Sequence, residues 1–234
     1  MNFKAKALPY TTLLSFILIG LGLYWVFFLT PPDYQQGECV RILFVHVPAA
    51  WLCLGIYGAM GVMSLMGLVT RQPTYHIICR SSAFVGLTFN IICLVTGSLW
   101  GKPMWGTWWV WDARLTSVAV LALLYVGYIL LTNLFDDPEE GARKGAFLLI
   151  VGLLNLPVIK WSVTWWNTLH QPASVFRADG PHLAPEFLYP LGIMALGFGL
   201  LAFSLILLRT STTIQEMRSR SILMQELRRK TYGA

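Results

Sequence analysis

The chain has 234 residues, of which 56% are hydrophobic and only 12% are charged. A soluble globular domain carries about 25% charged residues, so this composition excludes an ordinary soluble protein and favours one embedded in a membrane. The formal net charge of +6 comes largely from the basic C-terminal tail described below, so it gives no reason to expect a nucleic-acid partner.

Six apolar stretches follow one another along the chain, each close to the roughly 20 residues that a helix needs to cross the hydrocarbon core. The alternating pattern typical of membrane barrel strands does not occur. We therefore predict an all-α polytopic membrane protein with a six-helix transmembrane domain at residues 1–208. Its predicted spans are Thr11–Leu29, Pro48–Val69, Ser81–Leu99, Leu115–Phe135, Gly145–Trp161 and Phe187–Leu208.

The lysines and arginines of the loops predict the orientation, because cytoplasmic loops are enriched in them. With the N-terminus inside, twelve lie on the inner side, and the five on the outer side are Arg41, Lys102, Arg114, Lys160 and Arg177. Both termini are therefore predicted to be cytoplasmic. The basic cytoplasmic tail, residues 209–234, has apolar residues between its arginines. This pattern favours an amphipathic helix on the membrane surface, with docking to a cytoplasmic partner as the alternative.

A few polar and proline residues predict local features of the spans. Pro48 predicts the start of the second span, because the first turn of a helix does not need the missing N–H. His46 would then lie just outside that span, at the outer surface. Asn155 and Pro157 predict a kink in the fifth span, and Asn90 in the third span predicts a hydrogen bond to a neighbouring helix.

Tryptophan is concentrated on one side of the predicted bundle. Of the ten tryptophans, five lie in the predicted periplasmic loop at residues 98–114, three begin the next outer loop and two lie in the outer halves of spans. Two aromatic belts would place tryptophans at both interfaces, so this distribution excludes them. A one-sided membrane anchor and a platform for a large flat ligand both stay open.

Histidine supplies a second clue. Of the four histidines, His46 and His170 are predicted at the outer level, one on each side of the tryptophan-rich loop. His76 is predicted on the cytoplasmic side and His182 in a proline-flanked loop, and we treat both as non-ligands. A single interfacial histidine is usually a hydrogen-bonded polar residue. Two beside a tryptophan cluster favour a pair of ligands to iron, copper or zinc.

Haem fits this residue set better than the other ligands that imidazole can bind. Tryptophan faces can cover the macrocycle, two histidines can take the axial positions of the iron, and basic side chains can pair with the propionates. The candidate cations on the outer side are Lys102, Arg114, Lys160 and Arg177. Arg114 could instead pair with Asp112 or reach toward the interface, and Asp112 could serve only as the N-cap of the fourth span.

Three segments carry a family resemblance: FVHVPAAW, WGTWWVWDAR and WWNTLHQPAS. The chain resembles the tryptophan-rich (WWD) haem-handling family along essentially its whole length, and within it the haem exporter C proteins of bacterial cytochrome c maturation. The resemblance implies non-covalent binding of haem b at the periplasmic face of the bacterial inner membrane, with His46 and His170 as axial ligands. It also implies contacts to haem from Trp105, Trp108, Trp109, Trp111, Asp112, Arg114, Trp165 and Trp166.

The resemblance further implies what becomes of the haem. It would be presented to a membrane-anchored periplasmic haem chaperone, cytochrome c maturation protein E, which binds it covalently. The other implied partners are cytochrome c maturation protein D, which is small and has a single span, the ABC transporter subunits A and B, and membrane lipid. The chain has no Walker motif and is not expected to be an enzyme, although assistance to the covalent attachment is compatible with this role.

Three other functions stay open at this point. A membrane-anchoring structural subunit would use the tryptophans without haem. A haem-containing electron-transfer subunit would place its histidines inside spans, whereas neither His46 nor His170 is predicted inside one. A solute transporter would need charges deep in its spans, and the predicted spans contain none there.

Overall fold

The computed structural model describes residues 2–135, 137–166, 168–170, 174–176 and 179–232. Within these ranges it contains seven α-helices and no strand, and a short 3-10 helix, Glu38–Ile42, precedes the second helix. The helices are α1 (Asn2–Phe28), α2 (Leu43–Thr70), α3 (Pro73–Trp105), α4 (Ala113–Leu134), α5 (Pro138–Gly152), α6 (Asn155–Trp165) and α7 (Pro185–Tyr232).

Six segments of the described chain are long and apolar enough to cross a membrane, with α5 and α6 together forming the fifth. The predicted all-α membrane fold with six spans is therefore confirmed. The N-in, C-in orientation stays a prediction. In the bundle, α2 packs along α3 and α1 packs along α7.

Buried tyrosines hold the centre of the bundle together. The hydroxyl of Tyr125 on α4 donates a hydrogen bond to the carbonyl oxygen of Cys53 on α2 at 2.7 Å, and its ring meets that of Tyr57 edge to face at 5.1 Å. Asn90 on α3 donates from Nδ2 to the carbonyl oxygen of Val118 on α4 at 3.4 Å. The predicted interhelical hydrogen bond of Asn90 is therefore confirmed.

Gly86 on α3 leaves the space that Tyr125 occupies, because a Cβ at this position would collide with the tyrosine ring. We expect Gly86→Ala to destabilise the bundle by about 1–3 kcal/mol, the usual cost of overpacking a core. Thermal unfolding in detergent, followed by gel filtration, measures the effect. Gly55→Ala is the matched control, because its Cβ would meet nothing within 4 Å, and equal losses in the two variants would contradict the packing argument.

The second helix begins five residues before Pro48, so the predicted start at Pro48 is wrong. Leu43 and Phe44 are buried in an apolar cluster that includes Val26 of α1 and Leu191 of α7. This packing extends the helix past the proline. His46 therefore lies in the first turn of α2, inside a candidate span, and its predicted position outside the span is also wrong. For His46, the argument against an electron-transfer subunit no longer holds.

The tryptophan-rich loop is shorter than the predicted 98–114, because α3 continues to Trp105. The helix ends at Gly106, which has φ 77° and donates its N–H to the carbonyl oxygen of Lys102 at 3.0 Å. Glycine adopts this left-handed conformation without a steric penalty and commonly ends helices. Trp100 and Trp105 are therefore helical residues, and only 106–112 form the connection to α4.

The predicted kink in the fifth span is confirmed as a break between α5 and α6. Pro157 lies in the first turn of α6, where its missing N–H leaves no intrahelical bond unmade. The carbonyl oxygen of Leu153 accepts the N–H of Leu156 at 3.1 Å. The side chain of Asn155 donates to the carbonyl oxygen of Ser117 on α4 at 2.8 Å, which fixes the break against the neighbouring helix.

The basic tail is helical and continues α7 without a break at residue 208. The whole helix has 48 residues and is therefore about 72 Å long at 1.5 Å per residue, more than twice the thickness of the hydrocarbon core. Ile214, Met217 and Leu223 are exposed on it. The helix is uninterrupted from the span into the tail, so the tail continues the last span and does not form a separate helix.

Candidate functional site

A cavity of about 600 Å³ opens among the ends of α2, α3, α4 and α6 and the segment before α7. This volume is within the range of small-molecule and cofactor sites. Five of the ten predicted site residues line it, and they are His46, Trp105, Trp109, Arg114 and His170. His46 and His170 are 124 residues apart along the chain, and both of their imidazoles line this one cavity.

His46 is held against α3 on more than one side. Its Nδ1 lies 3.0 Å from the hydroxyl oxygen of Thr96, and its ring meets Trp100 edge to face at 5.7 Å. A Cβ at Gly97 would come within 3.1 Å of the imidazole carbon Cε1. The ring therefore lies close to the α3 backbone at a position where glycine leaves room for it.

His170 follows α6 and is oriented by Asp112. Its Nδ1 lies 3.4 Å from Oδ2 of the carboxylate, while Oδ1 accepts the N–H of Leu115 at 2.7 Å. The predicted N-cap role of Asp112 is confirmed, and the same side chain also contacts the histidine. Trp105 packs against the imidazole edge to face, with ring centroids 4.8 Å apart.

The environment of His170 favours its neutral form. Burial lowers the pKa of His170, the Asp112 carboxylate opposes that shift, and the Arg114 guanidinium lowers the pKa further. Because the net shift is downward from an ordinary value near 6.5, the imidazole is neutral at pH 7. A neutral imidazole keeps the lone pair that a metal ligand needs.

Arg114 ties the start of α4 to the second half of α6. Its guanidinium donates to the hydroxyl of Ser162 at 3.3 Å and to the carbonyl oxygens of Ile159 at 3.3 Å and Lys160 at 3.4 Å. Among the described residues Arg114 forms no ion pair with Asp112, so the alternative in which these two pair is not observed. Lys160 lines the cavity beside Arg114.

The other predicted cations lie elsewhere. Lys102 donates to the carbonyl oxygen of Gly106 at 3.0 Å and lies 5.9 Å from the ring centre of Trp108, and it does not line the cavity. Arg177 is outside the described residues.

The predicted tryptophans divide into two groups. Trp105 and Trp109 line the cavity, and the buried indole N–H of Trp109 has no hydrogen-bond partner among the described residues. The others are exposed and do not line the cavity, with Trp111 the most exposed at 81%. The exposed group consists of Trp108, Trp111, Trp165 and Trp166.

Two further tryptophans line the cavity although the sequence did not single them out as site residues. Trp51 follows His46 on α2, and Trp100 lies one helical turn after Thr96 on α3. A sequence signal existed for the second, because Cys93, Gly97, Trp100 and Met104 follow each other at the three- and four-residue spacing of one helix face. Because the third span is predicted to end at Leu99, Trp100 is assigned to the loop and this helix face is not recognised.

The comparisons with known proteins agree on one family. The family model described as Heme exporter protein C matches residues 1–225. The chain belongs to the Heme exporter protein C family. The chain is similar to the Heme exporter protein C of Bradyrhizobium diazoefficiens, with 47% identity over 234 residues that cover 100% of this chain and 89% of that protein. It is 43% identical over 220 residues to the protein of the same name from Escherichia coli strain K12, covering 94% of this chain and 89% of that protein. For the protein of Paracoccus denitrificans the identity is 39% over 229 residues, covering 97% of this chain and 95% of that protein.

Membership in the Heme exporter protein C family gives the chain a role in haem handling for cytochrome c maturation. The resemblance carried by the tryptophan-rich segments is thereby confirmed. Together with the six apolar spans, it identifies a multi-pass membrane component of a haem exporter complex. The residues that hold the haem stay a prediction.

Proposed function

We propose that the chain binds haem b non-covalently in this cavity, with His46 and His170 as the axial ligands of the iron. The observation that carries the proposal is that both imidazoles line one cavity together with Trp51, Trp100 and Trp109. Two neutral imidazoles are a common axial pair for haem iron. The indole rings supply a flat apolar lining for the macrocycle.

The charges of the cavity lining are compatible with haem. Arg114 and Lys160 both line it and can pair with propionates, as charge-assisted hydrogen bonds favour. Arg114 already donates to three acceptors of α6, so Lys160, which is exposed, is the cation with more freedom to turn toward a carboxylate.

We place the site at the periplasmic face of the inner membrane. The support is the sequence-predicted distribution of Lys and Arg, in which five of the seventeen belong to the side of His46 and His170 and twelve to the opposite side. Positively charged loops favour the cytoplasm. A cavity at the end of the bundle also leaves haem accessible to another protein, whereas a site at the membrane centre would not.

We propose further that the bound haem is presented to the periplasmic haem chaperone, in a complex with the small single-span protein and the ABC transporter subunits A and B. The exposed tryptophans support a protein partner, since tryptophan is enriched at the centre of protein interfaces. Trp111 is 5.5 Å from the cavity-lining Trp109, centroid to centroid, so a partner bound there would be next to the haem. In this role the chain carries and presents haem and is not itself an enzyme.

The absorption spectrum of the detergent-purified wild-type protein tests the proposal. We expect a low-spin spectrum typical of two histidine ligands and a haem that acid acetone extracts, because it is not covalently bound. A haem-free protein from haem-sufficient cells would favour a structural anchor. A haem that stays with the chain when the apo-chaperone is added would favour an electron-transfer subunit.

A further inference from the structure

The hydroxyl proton of Thr96 is engaged in a hydrogen bond to the backbone of its own helix. Thr96 lies on α3, and its Oγ1 is 2.6 Å from the carbonyl oxygen of Ile92 and 3.3 Å from that of Cys93. A carbonyl oxygen can only accept a hydrogen bond, so the threonine proton is directed to the α3 backbone. Towards His46, 3.0 Å away, Oγ1 can therefore act only as an acceptor.

The state of Thr96 determines the tautomer of His46. A neutral imidazole carries one N–H, and the other nitrogen keeps a lone pair. Since Nδ1 faces an acceptor, the N–H is at Nδ1 and the lone pair is at Nε2. The Cys93 backbone also forms a hydrogen bond with this imidazole, so Thr96 is one of two acceptors on α3 that favour a ring N–H. The lone pair of Nε2 is then the one available to a metal.

The second imidazole is arranged in the same way with a different partner. Nδ1 of His170 faces a carboxylate oxygen of Asp112 at 3.4 Å, which is again an acceptor, so the N–H is at Nδ1 and the lone pair is at Nε2 there too. Metal-binding histidines typically donate their other N–H to a carboxylate, a carbonyl or another oxygen, and this contact fixes the ring. Thr96 therefore occupies for His46 the place that Asp112 occupies for His170.

We propose that Thr96 is a positioning residue that holds His46 in the Nδ1–H tautomer and leaves Nε2 available to the haem iron. The inference rests on the proposed function, because it concerns the same ligand. It adds that a neutral hydroxyl orients one ligand and a carboxylate orients the other. The two rings therefore differ in the electron density that they can donate to the iron, with His170 the stronger donor.

Thr96→Val tests this inference, because valine has nearly the same shape and no acceptor. We expect haemin titrated into the apo-protein to bind about tenfold more weakly, the lower end of the cost of removing an outer partner of a metal ligand. The low-spin fraction of the spectrum should fall with it. Thr96→Ser keeps the acceptor and should restore both values.

Thr88→Val is the matched control. Thr88 lies two turns earlier on α3 and donates to the carbonyl oxygen of Phe84 at 2.8 Å, but it is exposed and contacts no histidine. Its replacement should leave haemin affinity unchanged. Wild-type affinity and spectrum in Thr96→Val, or equal losses in Thr88→Val, would overturn the positioning role.

A readout without haem separates this inference from the proposed function. The ¹⁵N chemical shifts of labelled histidine in the apo-protein report the tautomer of His46, which can be assigned by its absence in His46→Ala. We expect the Nδ1–H form in the wild type and in Thr96→Ser, and a mixture in Thr96→Val. A wild type that binds no haem through His46 refutes the proposed function, whereas an unchanged tautomer in Thr96→Val refutes only the role of Thr96.

Discussion

Replacing either His46 or His170 with alanine is expected to remove most of the haem from the purified protein. Each substitution deletes one of the two proposed axial ligands and leaves the iron with a single imidazole. We expect occupancy to fall at least about tenfold, because even the loss of an outer partner of a ligand costs that much. The haem-to-protein ratio after gel filtration measures it, and the haem that remains should be high-spin.

The control is His182→Ala, which removes an imidazole that lines the same cavity. His182 is half exposed and is paired through Nε2 with Asp179 at 2.9 Å, so it is not expected to coordinate iron. Occupancy should stay at the wild-type level. Normal haem occupancy in both His46→Ala and His170→Ala would contradict the assignment of these residues as ligands. A loss of haem in His182→Ala would instead indicate that His182 is one of the axial ligands.

The Trp109→Ala and Trp111→Ala variants are expected to impair different steps: haem retention in the first, and haem transfer to the chaperone in the second. Trp109 is partly buried and lines the cavity, whereas Trp111 is 81% exposed and does not. Loss of the Trp109 ring should weaken haem retention, by about tenfold if the aromatic contact contributes near the upper end of 0.5–1.5 kcal/mol. Trp111→Ala should keep its haem and slow the formation of the haem–chaperone adduct.

Both steps can be measured on one preparation. Haem retention is followed by gel filtration, and adduct formation by denaturing electrophoresis with haem staining after addition of the apo-chaperone. Trp108→Ala extends the comparison, since Trp108 is also exposed, and should behave like Trp111→Ala. If all three variants keep haem and transfer but insert poorly into the membrane, the tryptophans serve as a one-sided anchor.

The sequence predicts the architecture well because apolar length is a strong signal in a membrane protein. Six spans, the break before Asn155, the N-cap at Asp112 and the interhelical bond of Asn90 all follow from local chemistry. Helix ends are harder to predict, because they depend on packing partners that are distant along the chain. Burial of Leu43 and Phe44 against α1 and α7 extends α2 past Pro48, and no pattern within α2 predicts that.

The candidate site could be predicted only in part for the same reason. The two histidines and the tryptophan-rich segment identify the correct end of the bundle. Which indoles face inward depends on where α3 ends, and Gly106 ends it six residues beyond the predicted boundary. That extension places Trp105 beside His170. Thr96 has no sequence signal of its own, since threonines in membrane helices commonly bond to their own backbone.

Asp112 contacts two separate parts of the molecule at once. One carboxylate oxygen holds the first turn of α4, the other contacts His170, and the preceding residue along the backbone is the exposed Trp111. A protein that binds this indole would therefore contact the residue directly before the one that orients the imidazole. Under the proposed function, the surface offered to the haem chaperone and the orientation of one axial ligand would thus share Asp112 as a common neighbour.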